Sequence, residues 1–105
     1  PAHARVATLR GVAAGLRSRR DDLALVLSDE AGKPLRDARV EVDRAAFVFD
    51  TAADEVSRLG GDLLPMDLMP HGEGRFAVTR RVPLGPIAAI TPFNFPLLLV
   101  AHKLA

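Results

Sequence analysis

Leu35, Ala38, Val42, Ala45, Phe49, Ala52, Val56 and Leu59 recur in alternating three- and four-residue steps, the spacing that lines side chains along one face of an α-helix. Gly60 and Gly61 follow at once and end the pattern. At 1.5 Å per residue, about twenty-five residues span roughly 37 Å, a length that needs a larger body to lie on than a small domain offers. The Arg, Asp and Glu residues between the apolar positions read as a solvated opposite face.

Two shorter helices are expected before it. Val6, Leu9, Val12 or Ala13, and Leu16 repeat at helical spacing, with Arg5, Arg10, Arg17 and Arg19 on the other sides. Asp21 and Asp22 suit the first turn of a second helix carrying Leu23, Leu25, Val26 and Leu27, since carboxylates favour the positive end of the helix dipole. Gly32 and Pro34 stop that helix. Residues 62–74, with Pro65, Pro70, Gly72 and Gly74, read as a loop. Residues 75–82 alternate, Phe76, Val78, Arg80 and Val82 against Ala77, Thr79 and Arg81, as a half-exposed strand does.

Residues 83–101 contain no charge. A run of that length is at the threshold of a membrane span, but Pro83, Pro86, Pro92 and Pro96 would break a spanning helix repeatedly. Ile87 to Thr91 instead reads as a short strand of the kind buried in a parallel sheet, followed by a Pro-Phe-Asn-Phe-Pro turn and an apolar helix. Asn94 is the single polar side chain at that turn. Ligands in open α/β sheets bind where strands give way to helices, and an amide placed there can donate hydrogen bonds to a substrate oxygen without adding charge.

Charge and composition narrow the function classes further. Fourteen basic and thirteen acidic residues give a net charge of +1, too small to set up a field for nucleic acid or anionic lipid. Arg17, Arg19 and Arg20 are followed by Asp21, Asp22, Asp29 and Glu30, as on a solvated face. The chain has no cysteine, so it brings no disulfide, thiolate ligand or thiol nucleophile of its own. His3, His71 and His102 lack metal-ligand spacing, and no metal site is proposed. The chain opens on Pro1 and carries no signal-peptide pattern, consistent with a cytoplasmic protein. Its last residues run through an apolar helix to Ala105 without a cap, as a piece of something larger would.

Several short segments carry a family resemblance: Glu30-Ala31-Gly32-Lys33-Pro34-Leu35, Ala38-Arg39-Val40-Glu41-Val42, Arg58-Leu59-Gly60-Gly61, Arg81-Val82-Pro83-Leu84-Gly85, Ile90-Thr91-Pro92-Phe93-Asn94-Phe95-Pro96-Leu97 and Ala101-His102-Lys103-Leu104-Ala105. In order and spacing they resemble the amino-terminal part of an aldehyde dehydrogenase. The most specific piece is the Pro-aromatic-Asn-aromatic-Pro turn with a lysine nine residues after Asn94.

That resemblance implies an α/β fold: three N-terminal helices (residues 1–74) on the cofactor domain, a strand extension used in oligomerisation (75–86), and the first strand and helix of an open cofactor-binding sheet (87–105). It implies an NAD- or NADP-dependent enzyme, a homodimer or homotetramer, that oxidises an aldehyde through a cysteine thioester. Asn94 resembles the family's oxyanion-stabilising amide. Lys103 matches a lysine that some members use in a charge relay, although nine residues of separation keep it from the aldehyde itself, and a purely structural lysine is an equal reading. Ile90, Thr91, Pro92, Phe93 and Asn94 match the segment lying against the cofactor. Glu30 matches a position that helps hold a monovalent cation in some members, but reads first as a solvated acid at a helix end. Position 93 is Phe where many relatives have Trp, which keeps an apolar wall and drops an indole donor. The family's cysteine and glutamate have no counterpart here. The competing reading is a non-catalytic helical interaction module, which leaves unexplained why an amide interrupts an apolar junction between two prolines.

Overall fold

The computed structural model describes residues 1–105. Helix α1 spans Ala2–Ser18, α2 spans Arg20–Ala31 and α3 spans Leu35–Glu55, with a 3-10 turn at Val56–Arg58 continuing it. A two-stranded antiparallel ladder, β1 (Leu63–Leu64) and β2 (Ala77–Val78), follows, and α4 covers Leu98–Leu104. Asp21 and Asp22 lie in the first turn of α2, and the helix closes on Gly32 in the left-handed region, φ 63°, where a Cβ would be strained.

The long α3 organises residues 1–56 and 88–105, which form one compact unit. Ala38, Val42, Ala45, Phe49 and Val56 of the anticipated stripe are buried, Leu35 and Ala52 are half-buried, and Leu59 is exposed. The buried face is wider than the stripe, since Glu41, Ala46 and Ala53 also lie inside. Ala13, Ala45, Phe49 and Ala101 form one core cluster across α1, α3 and α4, and Ala24, Leu27, Ala38 and Val42 form another across α2 and α3. Leu97 packs against both. Alanine at so many contacts keeps the helices close together, and Phe49 fills much of the space they leave. Of the two candidates in α1, Ala13 is the buried one and Val12 faces outward. In α2, Ala24 and Leu27 face the core while Leu25 and Val26 are exposed.

Ion pairs tie the outer faces of these helices. Arg20 grips Asp43 through two bonds of 2.7 and 2.8 Å, and Arg39 reaches back to Asp21 at 2.8 Å. Arg10 and Arg17 of α1 both donate to Asp50. Two of the basic residues expected on a solvated face, the exposed Arg17 and the half-buried Arg20, are therefore partnered across helices.

Residues 57–87 form the second unit. Leu63 pairs with Val78 and Leu64 with Ala77, and the Thr79 amide donates to the Asp62 carbonyl at 2.9 Å to extend the ladder. Gly61 has a steric reason to be glycine, since a Cβ there would lie 1.7 Å from the Thr79 carbonyl oxygen. Two expectations need correction. The strand anticipated over residues 75–82 is paired only at Ala77–Val78, and its partner β1 lies inside the stretch read as loop. A ladder of two strands with no apolar face covered is marginal, so it does not propagate. The buried strand anticipated at Ile87–Thr91 is not formed; Ile87 and Ile90 are exposed and without regular structure. A parallel strand takes its hydrogen bonds from neighbours, and no strand of this chain pairs with it.

Candidate functional site

The Pro92–Pro96 turn is built against α3 by one buried carboxylate. Glu41 is 1% exposed and is the one charged side chain in the core. Its Oε1 accepts the backbone N–H groups of Leu97 (2.9 Å) and Leu98 (3.1 Å), which open α4, and its Oε2 accepts from the Lys33 ammonium. Removing a carboxylate from water costs several kcal/mol unless charge and hydrogen bonds compensate, and here both do. Pro96 directs the chain into α4, whose early N–H groups have no intrahelical acceptor; Glu41 supplies one.

Lys33 is the second member. Gly32 turns the chain out of α2, which places the lysine between α3 and the turn. Its ammonium donates to the main-chain carbonyl of Asn94 at 3.0 Å and sits 4.2 Å from the centroid of the Phe95 ring, within cation-π range. Arg44 approaches the same ring at 6.0 Å. The backbone of Asn94 is thus held from the α3 side, while its side-chain amide is exposed and takes part in no hydrogen bond within the chain.

Phe93, Asn94 and Phe95 wall an open cleft of about 520 Å³ together with Lys33, Glu41 and Arg44. Ile90, Thr91 and Pro92 lie outside its lining, and Lys103 is exposed in the last turn of α4. The sequence-derived set therefore divides: Phe93 and Asn94 come together, the three residues before them continue away along an irregular segment, and Lys103 stands apart. Lys33 and Glu41 lie within the family-like segments, and the sequence alone assigns them no role. A signal for Glu41 was present, since it lies three residues after Ala38 and one before Val42, on the edge of the apolar stripe. A carboxylate there demands a partner. Nothing local in the sequence pointed to Lys33 as that partner.

The surroundings of Ile90 and Phe93 suit part of a dinucleotide. Both side chains are almost fully exposed, 88% and 89%, and the backbone groups of residues 87–92 lie outside any helix or ladder. An uncharged apolar surface of this kind suits a flat ring better than a charged group. The uncharged stretch offers no partner for phosphates. Glu30 is exposed at the end of α2, and no group of three or more His, Asp or Glu side chains is gathered as a cation site. No helix is long and apolar enough to cross a membrane.

The model of the aldehyde dehydrogenase family matches residues 1–105. The 3-sulfolactaldehyde dehydrogenase of Priestia aryabhattai is 46% identical over 89 residues, which cover 85% of this chain and 19% of that protein. Aldehyde dehydrogenase 21 of Physcomitrella patens, solved with its reaction product succinate, superimposes with a TM-score of 0.93 at 40% identity over 99% of this chain and 22% of that one. The NADP-bound glyceraldehyde-3-phosphate dehydrogenase of Methanocaldococcus jannaschii gives 0.88, also at 40% identity, over 98% and 21%. The chain thus spans about a fifth of the length of the relatives it matches.

Proposed function

The chain belongs to the aldehyde dehydrogenase family, and we propose that it is the amino-terminal part of an NAD- or NADP-dependent enzyme that oxidises an aldehyde to a carboxylic acid through a cysteine thioester. The observation that carries this reading is Asn94: an exposed neutral amide on a backbone anchored by Lys33, inside a stretch without charge. When a thiolate adds to an aldehyde, the carbonyl oxygen gains a full negative charge. The Asn94 N–H groups donate to that oxygen, and a donor fixed beforehand stabilises the developing charge without reorganising at the moment of reaction. The thiolate and the base that activates water come from outside these residues, which hold no cysteine. The nicotinamide, when bound, supplies the acceptor for the hydride lost from the aldehyde carbon. Ile90, Thr91, Pro92 and Phe93 give it an apolar wall and main-chain hydrogen bonds.

Lys103 is assigned a supporting place, relaying charge to the site without touching the aldehyde. Residues 1–74 pack on the cofactor domain, residues 75–86 join subunits of a homodimer or homotetramer, and residues 87–105 start the cofactor sheet, which supplies the neighbours Ile87–Thr91 lacks here. The enzyme is placed in the cytoplasm. Similarity to proteins named for 3-sulfolactaldehyde and glyceraldehyde 3-phosphate, and to one solved with succinate, supports a short hydroxy, phosphorylated or semialdehyde substrate. In the full-length enzyme, Asn94→Ala lowers kcat about a hundredfold to a thousandfold and leaves cofactor affinity nearly unchanged. Wild-type turnover in that variant removes Asn94 from the oxyanion site.

A further inference from the structure

We propose that Lys33 and Glu41 are positioning residues for the reaction, a half-buried lysine on a buried carboxylate that together fix the backbone of Asn94 and so aim its amide. This rests on the reading of Asn94 as the oxyanion donor, and extends it to two side chains that act through the backbone of the turn.

Three observations converge on it. Glu41 is the one charged residue inside the core, although it stands on a helix whose other buried positions are all apolar. Every hydrogen bond it makes goes either to Lys33 or to the residues just after the turn, Leu97 and Leu98, fifty-six and fifty-seven positions away in sequence. Lys33 closes the circuit, because the same ammonium that meets Glu41 also binds the Asn94 carbonyl and lies over Phe95. Residues 94, 95, 97 and 98 are therefore each held by this pair, through a carbonyl, a ring and two amides.

The pair is placed where rigidity matters to the amide. Upstream of Asn94, residues 79–92 have no regular structure, so within this chain the turn takes its position from the downstream side. A carbonyl held at 3.0 Å by an ammonium restricts rotation of the Asn94 peptide unit. The side chain leaves from the same Cα, and a displacement of about 1 Å at such a donor is enough to cost roughly a hundredfold in rate. A pair serving packing alone would be replaceable by an apolar pair of similar volume; a positioning pair is not.

The test is a double-mutant cycle in the full-length enzyme, reading kcat, KM for aldehyde and cofactor, and melting temperature. Lys33→Met keeps the stem against Phe95 and removes the ammonium. It is expected to lower kcat about tenfold to a hundredfold with cofactor KM within about twofold, and Lys33→Arg, which retains a donor for both oxygens, recovers most of that loss. In an Asn94→Ala background, Lys33→Met lowers kcat less than about threefold, because a donor that is absent cannot be misaimed. Where Lys33→Met does not fold, Glu41→Gln, which keeps an oxygen for Leu97 and Leu98, enters the same cycle. An equal loss in both backgrounds, or no loss in either, overturns the positioning role and leaves the Asn94 reading standing. Full activity of Asn94→Ala alone overturns that reading, and the positioning role with it.

Discussion

Replacing Glu41 by leucine should loosen the start of α4 before it affects the rest of the helical unit. The substitution leaves the Leu97 and Leu98 N–H groups without an acceptor in a buried site, at a cost of about 1–3 kcal/mol each. It also strands Lys33, which keeps only the Asn94 carbonyl and the Phe95 face. Against this, an apolar side chain of similar size returns about 1.5–3 kcal/mol through burial. The sum is a net loss on the order of 1–4 kcal/mol, concentrated at two amides. Hydrogen exchange read by mass spectrometry on the full-length protein localises it. With a tenfold change per about 1.4 kcal/mol, losing a 1–3 kcal/mol bond speeds exchange at residues 97 and 98 by about fivefold to 150-fold, whereas the middle of α3 is little changed. Glu41→Gln, whose amide oxygen still accepts, should show a smaller effect. Unaltered exchange at Leu97 and Leu98 in Glu41→Leu would show that the carboxylate does not hold them and would refute the reasoning.

Two further outcomes follow from other parts of the molecule. Hydrogen bonds from Arg17 and then Arg10 hold the Asp50 carboxyl below its ordinary range, and one from Arg20 does the same for Asp43. Such groups contribute stability that is complete above the unfolded carboxylate value, about 3.9, and is lost as pH falls through the lower folded one; Asp50→Asn should therefore flatten the decline in melting temperature below about pH 4, and an unchanged acid limb would contradict the pairing. In the unit of residues 57–87, Gly61→Val sets a Cβ against the Thr79 carbonyl and should open the ladder. If that unit joins subunits, light scattering will record a smaller assembly at unchanged concentration, and a wild-type assembly would count against the oligomerisation role.

The helices were legible because their signals are local. The step pattern from Leu35 to Val56, the acidic pair Asp21 and Asp22 and the stop at Gly32 each act within a few residues, and the structure follows them, leaving out only Leu59 at the end of the anticipated stripe. The strands were not legible to the same degree, because a strand is completed by what lies beside it. Residues 75–82 alternate as a strand should, yet only Ala77 and Val78 find partners, and Ile87 to Thr91 has the composition of a sheet interior with no neighbouring strand. Asn94 was visible from its chemistry, a lone amide between two prolines. Its anchors were not, since the contacts from Lys33 and Glu41 cross sixty-one and fifty-six residues of sequence and are decided by how α3 packs.

That difference bears on how the site comes into being. Glu41, Lys33 and the residues after the turn all belong to the unit formed by residues 1–56 and 88–105, and their contacts are made although residues 87–91 have no strand beside them. The backbone of Asn94 is therefore fixed by helix packing and one ion pair, independently of any sheet. On the proposed function, the cofactor wall of Ile90 to Phe93 takes its shape from neighbouring strands and the oxyanion amide from α3, so the two contacts depend on different supports within a few residues of each other. Changes to α3 or Lys33 should act on kcat through the amide, and changes to the strand environment of Ile87–Thr91 should act on cofactor affinity. The Pro92–Pro96 turn is the joint between the two, and a proline at each end fixes φ near −65°, which helps the turn keep its own shape when either support is changed.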